Sequence, residues 1–424
     1  MLDAFSMSIP FGETGGLVRG CLDLVSGRFP RFVFGASIGD LLPVFHFHDE
    51  PRDALEPKLR HLADNGYRSV TADEIAAFVR GDRALAPRAV ALCFDDAWAS
   101  VWTAAGPLLK EHGLTAIVYA IPARVSDAAG CRPRSVSETS SHAAGRPAPP
   151  PEHGPNLQAV PLDARPPGAS DARAPGDKNA SSAAAGSPFM TWPELRALQA
   201  AGIIDVQSHT RTHARIFTSG TVAGFVEPGY DATLLLARPQ VGAEPLRFVG
   251  PDDLGAPLYE HRSRMSDGPR MRHTEKAHDA CVRLVASEGG PAFFSRADWR
   301  RRLQSLADGF SAHATPESAD EQQHAIDEEL DRSRSELNGR LGTRTVNHVC
   351  LPWGVSGQKA AAALKRLGFA TAFANRFAGV HAVRRGDHPH WLKRLPNRYI
   401  HRLPGRGRRW WFITPSSHRV TVGR

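Results

Sequence analysis

Cysteine is scarce in this chain of 424 residues and never paired in sequence. Cys21, Cys93, Cys131, Cys281 and Cys350 are odd in number, scattered, and form no C-x-x-C. That argues against a disulfide framework and for a reducing compartment. Long apolar runs are missing too, and no stretch approaches the length of a membrane span. The start, Met1-Leu2-Asp3-Ala4-Phe5, lacks the basic residues and apolar core of a signal peptide. A cytoplasmic location is therefore expected. Zinc-finger spacing and aromatic–basic RNA motifs are also absent, which places nucleic acid last among possible partners.

What is present fits a soluble globular protein of two or three domains, with 42% hydrophobic and 23% charged residues. The formal net charge is +8. Such an excess favours an acidic partner, either an anionic glycan or an anionic lipid surface.

Two short stretches carry chemistry. The first is Ala91-Leu92-Cys93-Phe94-Asp95-Asp96-Ala97-Trp98, which Ala89 and Val90 lead into. The apolar run reads as a buried strand ending in two carboxylates. Side chains alternate along a strand, so both acids point one way only if the strand ends there. Acids at the carboxyl end of a parallel strand occupy the usual catalytic position of barrel folds; alone, they are equally a solvated strand end. The second stretch is Ser208-His209-Thr210-Arg211-Thr212-His213. Two imidazoles four apart can face one way and, with one carboxylate, complete a metal site that leaves positions open. In a chain with 19 histidines, such a pair by itself more often lies on the surface facing solvent.

Around these stretches strands and helices alternate, which indicates a parallel α/β sheet or barrel. Leu42–His48 reads as the opening strand, after an N-terminal extension, 1–41, of mixed composition. Leu55, Leu59 and Leu62 mark a helix face, and Gly66 its stop. Thr71 with Glu74, and Thr191 with Glu194, read as capping boxes. Val101, Leu108 and Leu109 lie on a helix, Ile117–Ile121 on a strand, and Ile326, Leu330, Leu337 and Leu341 on a helical stripe.

Two insertions break the pattern. Residues 126–188 are roughly two thirds Ala, Pro, Gly or Ser, with no aromatic, Ile or Met. Such a segment cannot bury enough apolar surface to offset its ordering entropy, so disorder is expected. Residues 218–318 contain Phe225, Tyr230, Phe248, Tyr259, Phe293, Phe294 and Trp299 and are expected to fold as a lid or subdomain. Within them, the basic segment from Arg262 to His273 reads as exposed. The tail, 401–424, joins Arg402, Arg406, Arg408 and Arg409 to Trp410, Trp411 and Phe412. That composition suits either weak association with an anionic membrane surface or packing on the barrel.

With these pieces in order, the chain resembles the polysaccharide deacetylase family (carbohydrate esterase family 4, the NodB-homology domain). Cys93–Ala97 resembles the family's T-F-D-D-G, Ser208–His213 its S-H-T-x-x-H, and Leu351-Pro352-Trp353-Gly354 its proline-aromatic-glycine motif. The flanks Pro43–His48, Asn65-Gly66-Tyr67, Thr191-Trp192 and Leu337–Gly342 are similar as well. The resemblance covers roughly 42–125, 189–217 and 320–400. It implies a distorted (β/α) barrel, here 42–400 with two insertions. It also implies a divalent metal, zinc first among them, held by Asp96, His209 and His213, with Asp95 as catalytic base. A metal acidifies bound water and polarises an amide carbonyl, a free carboxylate takes the proton, and the turn at Pro352 and Trp353 offers a backbone donor to the oxyanion.

The sequence departs from the family pattern in three places. Ala97 replaces the motif glycine, Cys350 stands where many members carry an arginine that positions the base, and the general-acid histidine has no clear counterpart. His381, His388 and His390 are the candidates. The expectation is a hydrolase removing an N-acyl group, acetyl foremost, from an amino sugar in a polysaccharide, oligosaccharide or lipid-linked glycan. The rival is a catalytically inactive glycan-binding protein that keeps the barrel.

Overall fold

A computed structural model of the chain describes residues 30–127, 187–230, 235–242, 247–272, 274–311, 314–374 and 381–409. The low-complexity stretch 126–188, apart from its ends, lies outside these residues, as do most of the 1–41 extension and Trp410, Trp411 and Phe412.

The first elements are β1 (Val44–Phe47), α1 (Arg52–Asp64), β2 (Arg68–Ser69), α2 (Ala72–Arg80), β3 (Ala89–Asp96), α3 (Gly106–Glu111), β4 (Ala116–Ala120), α4 (Trp192–Ala200) and β5 (Ile204–Ser208). The second insertion supplies β6 (Arg215–Phe225), β7 (Gln240–Gly242), β8 (Arg247–Phe248), β9 (Pro257–Ser263), α5 (Thr274–Ser287) and α6 (Trp299–Ser311). The chain then returns through α7 (Ala319–Leu341), β10 (His348–Cys350), α8 (Gln358–Arg366), β11 (Thr371–Phe373) and β12 (Leu395–Pro396).

The eight-stranded sheet runs β11-β10-β5-β4-β3-β1-β12, with β2 beside β3, and every pairing in it is parallel. Its two edges meet. Leu395 pairs with Phe45 of β1, while Leu392, three residues earlier, bridges Phe373 of β11. Leu392 N–H donates to the Ala372 carbonyl, and Ala374 N–H to the Leu392 carbonyl. Segment 392–396 thus closes the sheet into the distorted (β/α) barrel that the sequence pattern indicates.

Local chemistry explains the elements. Thr71 with Glu74 and Thr191 with Glu194 form reciprocal capping boxes at α2 and α4. The expected helix over Val101–Leu109 starts instead as a π-helical turn, Val101–Ala105, before α3. Pro107 accounts for the difference, because it lacks the N–H that an α-helix would donate to the Thr103 carbonyl.

Side-chain alternation divides the core. Ala91, Cys93, Ile117, Tyr119, Cys350 and Phe373 share one buried cluster inside the barrel, while Phe45, Phe47, Leu92, Phe94 and Val118 pack outward against the helices. The extension contributes to the outer layer through the fully buried Phe32.

The second insertion folds on itself. Antiparallel β6 and β9 carry one cluster around Phe217, Val226 and Tyr259, and α5 and α6 enclose another around Cys281, Phe293 and Leu303. The segment expected to be exposed is partly buried. Ser263, Arg264, Met265 and Ser266 are all buried, and Arg264 is ion-paired with Glu317. A charge at low exposure is retained where it has such a partner, and composition does not reveal one 53 residues away.

The tail turns inward over 402–409. Arg402 is buried, and the Arg408 guanidinium donates to the carbonyls of Arg402, Phe32 and Ala36. Asn65 exchanges hydrogen bonds with the Arg406 backbone. These residues tie the tail to α1, leaving Arg406 and Arg409 exposed. Among the described residues no helix is long and apolar enough to cross a membrane.

Candidate active site

Register places the two motifs at one level. Asp96 pairs with Ala120, Ala120 with Ser208, and Ser208 with Val349, the first three ending their strands and Val349 one residue before the end of its own. Asp95 continues the inward face of Ala91 and Cys93. Asp96 should point outward, but its φ of 70° and that of Ala97, 56°, break the strand and swing the second acid over the barrel mouth. Thr210 (63°), His213 (57°) and Trp353 (54°) adopt the same left-handed region on the same rim, and among described non-glycine residues only Arg88 does so elsewhere. L-residues adopt this region at a cost, and such outliers gather where a site requires them. A glycine at position 97 would take this conformation without the penalty that Ala97 bears.

The rim surrounds a cavity of about 590 Å³. Within it, Nε2 of His209 lies 3.3 Å and Nε2 of His213 3.8 Å from Oδ1 of Asp96. All three residues are buried. The other oxygen of Asp96, Oδ2, accepts from the Trp98 indole N–H at 2.9 Å, while Oδ1 has no hydrogen-bond partner. Nδ1–H of His209 donates to the Cys350 carbonyl at 2.6 Å, which orients the ring with Nε2 toward Asp96. Burial would lower His209, but Cys350 and Asp96 beside it outweigh burial and raise it well above its ordinary value, so without a cation Nε2 carries a proton toward Oδ1. Burial and the neighbouring His209 hold His213 at about 3, so its ring is neutral. A cation that displaced the His209 proton would face three lone-pair donors, Nε2 of each histidine and Oδ1 of Asp96. Tetrahedral ligands at about 2.0–2.1 Å from zinc stand roughly 3.3–3.4 Å apart, which these separations approach. The residues therefore fit a divalent ion. Asp95, His209 and Cys350 form a second, overlapping donor group. Its donors are already engaged, since Arg394 takes both oxygens of Asp95 and the Cys350 carbonyl takes His209 Nδ1.

Asp95 is held differently. Nη1 and Nη2 of Arg394 reach its two oxygens at 2.6 and 2.8 Å. Burial alone would raise this carboxyl, but the Arg394 guanidinium overrides it and holds Asp95 well below the usual carboxylate range. His48 stands 3.7 Å away on the solvent side with its side chain 57% exposed. His46, also on this cavity, is kept neutral, at about 3, by burial and then by Arg394. Trp353 lies on the turn Pro352–Gly354, edge-on to His213 at 4.2 Å between centroids. Leu235 and Leu236 of the second insertion complete the cavity wall.

Of the expected site residues, the structure brings Asp95, Asp96, His209, His213 and Trp353 together, with Pro352 buried behind the last. It does not bring His381, His388 or His390 there. His381 lies two residues from Val383, which pairs with Leu42 ahead of β1, at the amino end of the barrel. His390 is buried and bonded to the Phe369 carbonyl, and His388 stacks on Trp391. Sequence reasoning misses Arg394, His46 and His48. The available signals are the basic pair Lys393-Arg394 between Leu392 and Leu395 and two histidines ending the first strand.

α7 braces the histidine loop. The Glu329 carboxylate accepts from Thr212 N–H at 2.9 Å and Thr212 Oγ1 at 2.5 Å, and Ser333 bonds Ser208. Glu329→Ala strands the buried Thr212 N–H, which costs about 1–3 kcal/mol. We expect a lower urea midpoint of that size at unchanged slope, and a smaller loss for Glu329→Gln, whose amide oxygen still accepts. Equal losses would contradict the brace.

Comparison with known proteins agrees with the motifs. Residues 82–223 match the family model described as polysaccharide deacetylase, a span that holds both acids and both histidines. A Bacillus subtilis (strain 168) protein named "Putative polysaccharide deacetylase YxkH" is 27% identical over 88 residues, 19% of this chain. The chain spans about a third (32%) of that relative's length. Among solved structures, the BpsB deacetylase domain from Bordetella bronchiseptica is 14% identical with a TM-score of 0.46, covering 85% of this chain and 97% of that one. IcaB from Ammonifex degensii is 16% identical with a TM-score of 0.42, covering 84% and 92%. The family match thus takes in the first two motifs, while Leu351–Gly354 lies outside it.

Proposed function

We propose that this chain, with its polysaccharide deacetylase sequence, is a metal-dependent hydrolase that removes an N-acyl group, acetyl foremost, from an amino sugar of a glycan. The observation that carries the reading is the convergence of Asp96, His209 and His213 on one point beside an Asp95 fixed by Arg394. Asp96, His209 and His213 would hold the ion, with zinc first among candidates for this donor set. When bound, such an ion polarises an amide carbonyl and acidifies water.

The other steps belong to the chain itself. Asp95 stays ionised because Arg394 opposes its protonation, and it takes the proton of the attacking water. The turn at Trp353 borders the cavity where the carbonyl oxygen gains charge, and its backbone N–H is the donor we assign to that oxygen. The amine must leave protonated. His48 borders the same cavity, 3.7 Å from Asp95, and its ring is open to solvent. It is the acid we assign in place of His381, His388 and His390. The glycan-binding rival drew its support from a missing arginine and a missing acid. We assign Arg394 and His48 to those two roles.

The test is acetate release from an N-acetylglucosamine oligomer by zinc-reconstituted protein. We expect turnover that falls at least a hundredfold on chelation and returns with zinc. Zinc-loaded protein that binds the oligomer but releases nothing from N-acetyl or N-formyl sugars would restore the rival.

A further inference from the structure

Beside the ion ligands stands an aromatic side chain that the chemistry above does not use. Trp98 follows the second acid by two residues and borders the cavity. Its indole stacks on Phe189 with centroids 4.7 Å apart and planes at 28°. The backbone locks the pair. Trp98 bridges Phe189, Ala99 N–H donates to the Pro188 carbonyl, and Met190 N–H to the Ala97 carbonyl, both at 2.8 Å. The ring therefore has one orientation, and in it Nε1–H points at Oδ2 of Asp96.

We propose that Trp98 is a positioning residue that commits Asp96 to the ion through one oxygen. A carboxylate has two oxygens and can turn both toward a cation. Here one is engaged by an uncharged, immobile donor, and only Oδ1 faces His209 and His213. Fewer coordination positions are then filled by protein, so more stay open to water and substrate. The loop 187–190, which holds Phe189, becomes part of the site's support although it touches none of the ligands.

This inference rests on the metal reading, and the experiment separates the two. Trp98→Phe keeps a ring to stack on Phe189 and removes only the donor. Zinc affinity is measured by competition with a chromogenic chelator. The visible absorption of cobalt-loaded protein reports coordination, and the melting temperature of metal-free protein reports the fold. We expect wild-type protein to bind zinc and Trp98→Phe to bind it about 10–100-fold more weakly, the usual loss for an outer-shell partner of a metal ligand. The cobalt spectrum should change while the metal-free melting temperature stays within a few degrees. Equal affinity with an unchanged cobalt spectrum would overturn the role of Trp98 and leave the metal reading intact. A wild-type protein that binds neither ion would overturn both.

Discussion

Asp95→Asn protein is expected to keep its zinc and to lose turnover by about 10²–10⁴-fold, the usual contribution of a positioned base. Asp96→Asn is expected to lose the zinc itself. The two residues are neighbours, yet their surroundings differ. Asp95 points into the barrel and gives both oxygens to Arg394, whereas Asp96 turns over the rim through its positive φ and leaves Oδ1 facing two imidazoles. His209→Ala and His213→Ala should behave like Asp96→Asn. The measurement pairs metal content by mass spectrometry with acetate release. Loss of zinc to the same degree in Asp95→Asn and Asp96→Asn would undo the division of labour, and full zinc in both histidine variants would undo the site.

How much of this site can be read in advance follows from sequence separation. The two acids and the histidine pair are contiguous motifs at strand ends, and strand ends are legible because an apolar run stops at a polar residue. The family resemblance gives them an order and a partner. Arg394 is not legible, because its carboxylate lies 299 residues away and the strand it precedes, β12, is two residues long, too short to show a period. Cys350 reads as a gap in the machinery, whereas the cation comes from the segment that closes the barrel. His48 ends a strand in plain view, but only the folded rim sets it beside Asp95. Reading Arg264 as exposed fails for the same reason as overlooking Arg394, since burial of a charge depends on a distant partner. The aromatics of residues 218–318 raise the expectation of packed elements there. That Leu235 and Leu236 of the same insertion wall the cavity is not legible, since nothing local marks them.

Arg394→Met should cost more stability than any other substitution proposed above, and that cost should depend on pH. The guanidinium lies over the rings of Tyr119 and Phe373, at 6.0 and 5.5 Å from their centroids, so methionine preserves much of the packing. What it removes is the only guanidinium bonded to Asp95 among the described residues. Removing one partner of a buried pair costs about 3–5 kcal/mol, because the other charge stays buried alone. In the wild type, the depressed Asp95 contributes stability that is present above the unfolded carboxylate value of about 3.9 and is lost as pH falls through its lower folded value. In the variant, burial acts with less opposition and raises the carboxyl. The folded variant then takes up a proton, so it is favoured in acid and penalised as pH rises. The gap between wild type and variant should therefore be small near pH 4 and widen toward neutrality. Urea midpoints at pH 4.5 and 7.5 measure it directly. The acid limb of kcat/KM should move to higher pH in the same variant, since Asp95 must lose a more tightly held proton before it can act as base. A loss of equal size at both pH values, with the acid limb unmoved, would mean that Arg394 supports the barrel by packing and leaves the charge of Asp95 untouched.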